Sequence, residues 1–513
     1  MTRFAVLCYA TTAVAIGITA FQAPPALPPI RAASNSRPFL SPFSAHSSSR
    51  IRNHHKALIR RSSTQHNSDS SISAHTNHHN NDEYKLEQRT WMFQDKYPIV
   101  YEVATTTTTN SESNEEDVLT VPILLLNGFG VGSFHQHRLM RQLLFQQQQQ
   151  QESKKRYVLY GIDYLGQGKS WPKDPQDGNS PDEYQLGYSA DMWLDQLASF
   201  VREVVLSTPT TTTTDTNDES TTTSINKVHL VGNSVGGYLA TILTHQKPQL
   251  ISTLTLLNAT PVWGLNLPGW DGKLPAPAVP KAIGRQMFDL IRNEDVIRQY
   301  LEAAYVRAEA FDGTFVDSFD GWGCIAADND DDGRDNGRDE ATTASGSGRG
   351  EPLGVKIRAC TEGNGGHAAF ASILWSAPAS GVPFYEALQH VPVDVLLLFG
   401  GDDPWCTEAV GKRMHVTLAS RRNGGDDAAV TAACRFVSLG NVGHCPNHEA
   451  PKAVAQVLIP WLNADDSEER RVVPLDSLCQ IHEPWGEVLI REISIEESES
   501  LGLIDRFVSS MVG

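Results

Sequence analysis

The most constraining feature of this chain is the run Val228-His-Leu-Val-Gly-Asn-Ser-Val-Gly-Gly237. Its first half is a short apolar strand and its second half opens an apolar helical segment. Between them, Gly232-x-Ser234-x-Gly236 removes the side chains that would collide at a sharp strand-to-helix turn. A serine on such a turn stands at the C-terminal edge of a parallel sheet, where the start of a helix favours developing negative charge. The motif therefore asks for an α/β fold with a mostly parallel central sheet flanked by helices.

The rest of the chain supplies that rhythm. Thr90–Gln94 and Ile99–Ala104 read as an opening hairpin, and Val121–Leu126 as a continuous apolar run suited to a buried parallel strand. Further strands are expected at Tyr157–Ile162, Lys227–Val231, Leu250–Leu257, Val393–Phe399 and Cys434–Ser438. Helical periodicity marks Phe134–Phe145, Met192–Leu206, Gly236–Thr244, Val410–Leu418 and Pro451–Leu462. Low-complexity tracts fall between these elements: Thr105–Thr109, Gln146–Gln151, Thr210–Thr214, Thr221–Thr223 and the acidic run 327–350. Such tracts cannot bury apolar surface and read as solvated insertions. The acidic run lacks the spacing and closing glutamate of a calcium loop, so no metal site is expected there.

Charge and length exclude other classes. A net charge of −18 over 513 residues gives no basic face for nucleic acid, and no apolar run of membrane-spanning length follows the N-terminus. The seven cysteines form no CxxC pair, which argues against a zinc ribbon or a disulfide framework. Residues 1–68 hold eight Lys or Arg and no carboxylate. Within them, an apolar stretch in 1–20 reads as a cleavable signal peptide, and 21–83 as a transit peptide and linker rich in Ser, Arg and His. This order resembles a bipartite plastid presequence and implies the chloroplast stroma; a plain secretory signal is the alternative.

A serine nucleophile needs a base and an acid, in the chain order Ser…Asp…His. His444, in Asn441-Val-Gly-His-Cys-Pro446, occupies a glycine-flanked loop between the last expected strand and the last helix. His448 is its nearest competitor, with a helix cap as the simpler reading; His135, His229, His245 and His415 lie within elements and read as surface or packing residues. Asp402 and Asp403 both follow the strand Val393–Phe399. Either could orient the imidazole; Asp403 closes a Gly400-x-x-Asp pattern and precedes Pro404, which fixes the loop. The alternative acid position, after the strand that follows the elbow, reads Leu257-Asn258-Ala259 and carries no carboxylate. The glycine-rich loop Asn127–Phe134 is expected to turn amides toward a developing oxyanion, with the N–H groups of Phe129 and Val235 as donors.

Several longer segments resemble the pheophytinases, plastid α/β-hydrolases of chlorophyll breakdown. They are Gly128–His135, Gly161–Gly168, Asp191–Gln196, Gly232–Tyr238, Thr253–Gly264, Asp403–Trp405 and Gly443–Pro446. Leu256-Leu-Asn-Ala-Thr-Pro-Val-Trp-Gly264 and Gly443-His-Cys-Pro446 are far more specific than the elbow. The likeness spans roughly Thr90–Trp461. It implies an α/β-hydrolase fold with a helical cap inserted after the sixth strand. It also implies hydrolysis of the phytyl ester of pheophytin by water without metal or organic cofactor, with Ser234 as nucleophile, His444 as general base and Asp403 as its orienter. Chlorophyll dephytylation and a general plastid lipase or esterase activity are the alternatives. Partners implied are pheophytin or a related phytylated pigment, with peripheral contact to the thylakoid or other pigment-catabolic enzymes. Asn127 departs from the likeness, standing where relatives usually carry Pro or His.

The expected organisation is then a core over 84–262, a cap over 263–385 carrying the acidic insertion, a second core part over 386–465 and an extension over 466–513. Within the cap, Trp263, Phe288, Phe370 and Trp375, with Leu265, Leu267 and Trp270, are candidates to line a wide apolar cleft for a bulky substrate. Leu501–Val512 has helical apolar spacing that would suit packing on the body or on a membrane surface.

Overall fold

The computed structural model describes residues 84–106, 119–149, 155–173, 188–207, 227–263, 278–317, 324–326, 350–363, 366–377, 379–421 and 432–500. The two presequence readings lie outside these residues, as do the threonine tracts past Thr106, residues 327–349 of the acidic run, Leu265, Leu267, Trp270 and Leu501–Val512.

The opening hairpin pairs β1 (Tyr84–Phe93) with β2 (Tyr97–Thr106), joined where Gln94 and Asp95 both take positive φ and the Lys96 amide donates to the Phe93 carbonyl at 3.2 Å. Two left-handed residues in succession match the right-handed twist of the strands they connect. Then follow β3 (Leu119–Leu126), α1 (His137–Gln149), β4 (Lys155–Ile162), α2 (Ala190–Phe200), β5 (Val228–Asn233), α3 (Val235–Gln246) and β6 (Ile251–Leu257). Helices α4 (Ala278–Ile291) and α5 (Glu294–Ala304), the short strands β7 (Phe315–Asp317) and β8 (Cys324–Ala326), and helices α6 (Leu353–Ala359), α7 (Gly366–Trp375) and α8 (Phe384–Gln389) come next. The chain closes with β9 (Asp394–Gly400), α9 (Glu408–Ala419), β10 (Cys434–Gly440), α10 (Pro446–Glu449), α11 (Pro451–Asn463), α12 (Ser467–Val472), β11 (Gln480–Glu483), β12 (Gly486–Ile493) and α13 (Ile495–Glu499).

Ten strands form one sheet in the order β1-β2-β4-β3-β5-β6-β9-β10-β12-β11. The six from β4 to β10 run parallel, and the strands outside them are antiparallel. The central strands read as unbroken apolar runs because both faces are covered. Along β3, Leu124 and Leu126 enter one core layer while Ile123 and Leu125 enter the other. Along β9, Val395, Leu397 and Phe399 alternate in the same way with Leu396 and Leu398. Helices α2, α3, α8 and α9 cover the first layer; α1 and α11 cover the second. Among the described residues no helix is long and apolar enough to cross a membrane.

Two segments depart from expectation. Gln146–Gln149 are not a solvated loop but the last turn of α1. Gln147 is buried, donating to the Lys155 carbonyl and accepting from the Tyr157 amide at 3.2 Å, so one side chain occupies both hydrogen-bonding groups at the start of β4. The extension past 465 is also not separate from the sheet: β12 pairs antiparallel with β10, Phe436 opposite Ile493, and β11 pairs with β12. The extension is anchored by the buried pair Arg470–Asp394 at 2.9 Å, whose carboxylate also accepts from Ala433 N and Ser467 Oγ. Removing one partner of such a pair strands a charge in the interior. Arg470→Ala should cost about 3–5 kcal/mol, seen as a lower urea midpoint with an unchanged m-value.

Candidate active site

Ser234 sits between β5 and α3 with φ 55° and ψ −121°, a conformation that L-residues rarely adopt. The surroundings hold it there. Its amide donates to the Leu257 carbonyl at 3.1 Å and its carbonyl accepts from Gly237 N, Tyr238 N and Thr260 N. A Cβ at position 236 would come 2.5 Å from the Leu126 oxygen, and one at 232 would come 2.6 Å from the Gly236 oxygen, so glycine is required at both flanks. Backbone strain of this kind persists only where packing over-determines it.

The structure brings the three sequence-predicted residues together. His444 Nε2 lies 2.9 Å from Ser234 Oγ, and His444 Nδ1 lies 2.7 Å from Asp403 Oδ2. The carboxylate accepts the Nδ1 proton, which leaves Nε2 free to accept from the serine hydroxyl. Asp402 is exposed and points elsewhere, accepting from the Asn441 amide at 2.7 Å. His448 is buried but does not reach Ser234; it stacks on His135 with ring centroids 4.8 Å apart. His135 lines the cavity described below, whereas His229 and His415 are buried against Thr253 and Ser498.

Burial pushes the Asp403 carboxyl upward, but the His444 charge and hydrogen bond, with the amides of Trp405 and Cys406, outweigh it and hold the group below its ordinary value. Asn258 adds to this arrangement. Its Nδ2 donates to Asp403 Oδ2 at 2.8 Å, while its Oδ1 accepts from Gly400 N at 2.7 Å. The alternative acid position thus holds an amide that fixes the acid coming from the next strand. Asn233, inside the elbow motif, donates to the carbonyls of Leu257 and His444, both at 3.0 Å, and ties the elbow to the histidine loop. Sequence reading passed over both asparagines, although both lie inside the segments it had singled out.

Donor atoms of Asp403, Cys406 and His444 lie within 4.8 Å of one another, the one grouping of metal-ligand type among the described residues. The Asp403–His444 hydrogen bond accounts for that spacing, and burial pushes the Cys406 thiol well above its ordinary value, which keeps it protonated.

The glycine loop lies against the serine: a Cβ on Gly128 would stand 3.3 Å from Ser234 Cβ. Asn127 shapes the loop from beneath by donating to the Val131 carbonyl at 2.8 Å and the Gly128 carbonyl at 3.1 Å. Gly130 takes φ +80° and its amide donates to Gln167 Oε1 at 2.9 Å. Of the expected oxyanion donors, Val235 follows Ser234 in the chain and Phe129 follows Gly128, the residue that lies against the serine.

Ser234 and His444 open on a cavity of about 460 Å³ between the sheet and the cap helices. Its lining is aromatic in part, with Phe129 and Phe288 each packed against Phe370 at 6.0 and 5.7 Å and with Tyr300, Tyr305 and Trp405. Ile297, Leu301, Leu353 and Ile357 on α5 and α6 add aliphatic surface. Phe288 and Phe370 line the cavity as expected, but Trp263 and Trp375 do not. Trp263 is wedged between Trp193 and Tyr238, its Nε1 donating to Ser376 Oγ at 2.9 Å. Trp375 is buried under α4, where Gly284 packs on its indole. Trp263 holds cap to core and Trp375 holds two cap helices together, and those contacts consume their surface.

Residues 123–457 match the family model described as Alpha/beta hydrolase family. The chain belongs to the α/β-hydrolase family. It is a hydrolase, and it is similar to the chloroplastic pheophytinase of Arabidopsis thaliana, 27% identical over 403 residues that make up 74% of this chain and 68% of that protein. Among solved structures it is similar to an esterase from Exiguobacterium antarcticum (14% identity, TM-score 0.44, 73% of this chain and 99% of that one). It is likewise similar to a thermophilic esterase from Thermogutta terrifontis (15% identity, TM-score 0.42, 73% and 98%).

A carboxyl held below its ordinary value stabilises the fold while the pH is above the unfolded-chain value of 3.8, and that stabilisation is lost as the pH falls through the lower folded value. Asp403→Asn should therefore lower the melting temperature at pH 7, and the gap to the native protein should close in strong acid.

Proposed function

We propose that this hydrolase cleaves the phytyl ester of pheophytin, giving pheophorbide and phytol. The observation that carries the reading is the Ser234–His444–Asp403 hydrogen-bond chain opening on an apolar cavity lined by both aromatic and aliphatic side chains. The likeness to a protein named pheophytinase supports it. So does the shape of the demand: a planar aromatic pigment esterified to a long aliphatic alcohol presents both kinds of surface.

Ser234 Oγ attacks the ester carbonyl carbon as His444 Nε2 takes the hydroxyl proton, and Asp403 stabilises the resulting imidazolium. The carbonyl oxygen becomes an oxyanion, met by the amides of Phe129 and Val235. Collapse of the tetrahedral intermediate breaks the bond to the alcohol oxygen, which leaves as phytol with the proton from His444. Water then adds to the acyl-enzyme, giving its proton to His444. The second collapse returns that proton to Ser234 and releases the free acid. Side chains, main-chain amides and water suffice for every step. A chloroplast location belongs to the same proposal, supported by the relative's name and by the acid-free leader.

Chlorophyll dephytylation is the second reading, since the same ester is presented by the magnesium pigment. Pheophytin a and chlorophyll a offered together in detergent, with products separated by chromatography, discriminate the two. Pheophorbide as the main product, reduced about 10⁴-fold or more by Ser234→Ala, is the expected outcome. Chlorophyllide in equal yield would overturn the pheophytin preference, and no product from either pigment would overturn the substrate class.

A further inference from the structure

Glu449 is the last residue of α10, five positions past His444, and is 1% exposed. Its carboxylate serves two parts of the chain at once. Oε2 accepts from the Gly443 amide at 2.7 Å; Oε1 accepts from the Val306 and Arg307 amides at 2.7 and 3.1 Å. The first donor immediately precedes His444, and the other two follow cap helix α5. Beside this bridge the His444 amide donates to the carbonyl of Ala304, the last residue of α5, at 2.7 Å. The contact is so close that a Cβ on Gly443 would overlap that carbonyl. The backbone of His444 is thus located from the core through Asn233 and from the cap through Ala304 and Glu449.

We infer that Glu449 is a positioning residue for His444, and that its ionised carboxylate holds the imidazole in line with Ser234 by fastening the histidine loop to the cap segment 304–307. The inference rests on the reading of His444 as general base. Two carboxylate oxygens serve three amides best while both are charged acceptors; protonation turns one of them into a hydroxyl, which holds the N–H group it faces far more weakly. A general base tolerates displacement of only about half an ångström.

The surroundings make that protonation accessible. Burial pushes the Glu449 carboxyl up to about 7, opposed by the three amides and the Arg307 charge. Burial holds the Tyr305 hydroxyl and the Cys445 thiol well above their ordinary values. On α10 itself, His448 Nδ1 faces Arg138 Nη1 at 3.3 Å and the Tyr305 hydroxyl at 3.2 Å. As the pH falls below about 7, Glu449 takes up a proton and the fastening loosens.

The test uses the whole chain and a fluorophosphonate probe, whose rate of covalent attachment to Ser234 reads the base without needing the natural ester. Glu449→Gln presents one acceptor and one donor, as the protonated acid does. At pH 8 the variant should label roughly ten- to a hundred-fold more slowly than the native protein. The native-to-variant ratio should fall toward one between pH 8 and pH 5, as Glu449 in the native protein takes up its proton. A ratio that stays constant across this range, as a merely structural role predicts, overturns the inference. If the Gln variant does not fold, Arg307→Ala provides the second test. Removing the cation beside Glu449 should move the acid limb of the labelling profile to higher pH, and an unmoved limb overturns the inference. No labelling of the native protein would overturn the base assignment beneath it.

Discussion

The approach of the end of β3 to the start of α3 decides the rest of the site. The carbonyls of Leu126 and Asn127 pass so near position 236 that a single methyl group there would overlap both. The contact sets the tilt of α3 against the sheet and with it the positive φ of Ser234. It also draws the 128–130 loop over the serine, so nucleophile and candidate oxyanion donors are positioned by one packing event. β3 pairs with both β4 and β5, and Leu126 stands opposite Gly232. Shifting that register by one residue would turn each inward side chain to the opposite face. Fold and site are accordingly specified together.

Around this centre, buried carboxylates act as staples between distant loops. Asp163 joins the Ser133 and Lys169 amides at 2.6 and 2.7 Å, and Glu483 joins the Lys452 and Ala453 amides at 2.8 and 3.0 Å. Burial raises both, Asp163 to about 6 and Glu483 to about 7. A raised carboxyl favours the folded state most when protonated, and its contribution declines as the pH climbs from the unfolded value toward the folded one. These groups therefore cost stability near neutrality, and what they supply in return is loop geometry: a charged acceptor fixes amide positions more tightly than a neutral one.

Much of this was legible in the sequence, for identifiable reasons. The parallel strands showed themselves because burial on both faces leaves no room for polar alternation. Ser234 and His444 showed themselves because Gly232 and Gly236 bracket the first and Gly443 precedes the second. Between Asp402 and Asp403 the sequence offered only the Gly400-x-x-Asp spacing and the following proline, and the geometry separates them by burial. The C-terminal hairpin escaped because its strands sit at the sheet edge: His482, Glu487, Leu489 and Arg491 face solvent, and the alternation dilutes the apolar signal. The two tryptophans assigned to the cleft escaped for a different reason. Chain-local pattern marks a large apolar side chain as buried but not which surface it is buried against: Trp263 joins cap to core and Trp375 joins two cap helices.

The glutamine tract carries an evolutionary consequence of its own. Of its six residues, Gln146, Gln147 and Gln148 bond to Lys452, to the two hydrogen-bonding groups at the β4 entry and to Tyr84, and three more glutamines follow them in the sequence. A tract of identical residues can change length without changing the residue type at its first positions. Here a gain of glutamines, or a loss of up to three, leaves a glutamine at all three bonded positions. A homopolymer placed at a helix end thus keeps its bonded register through a change in length, and each added residue falls in the connection to β4, where it changes closure entropy only slightly.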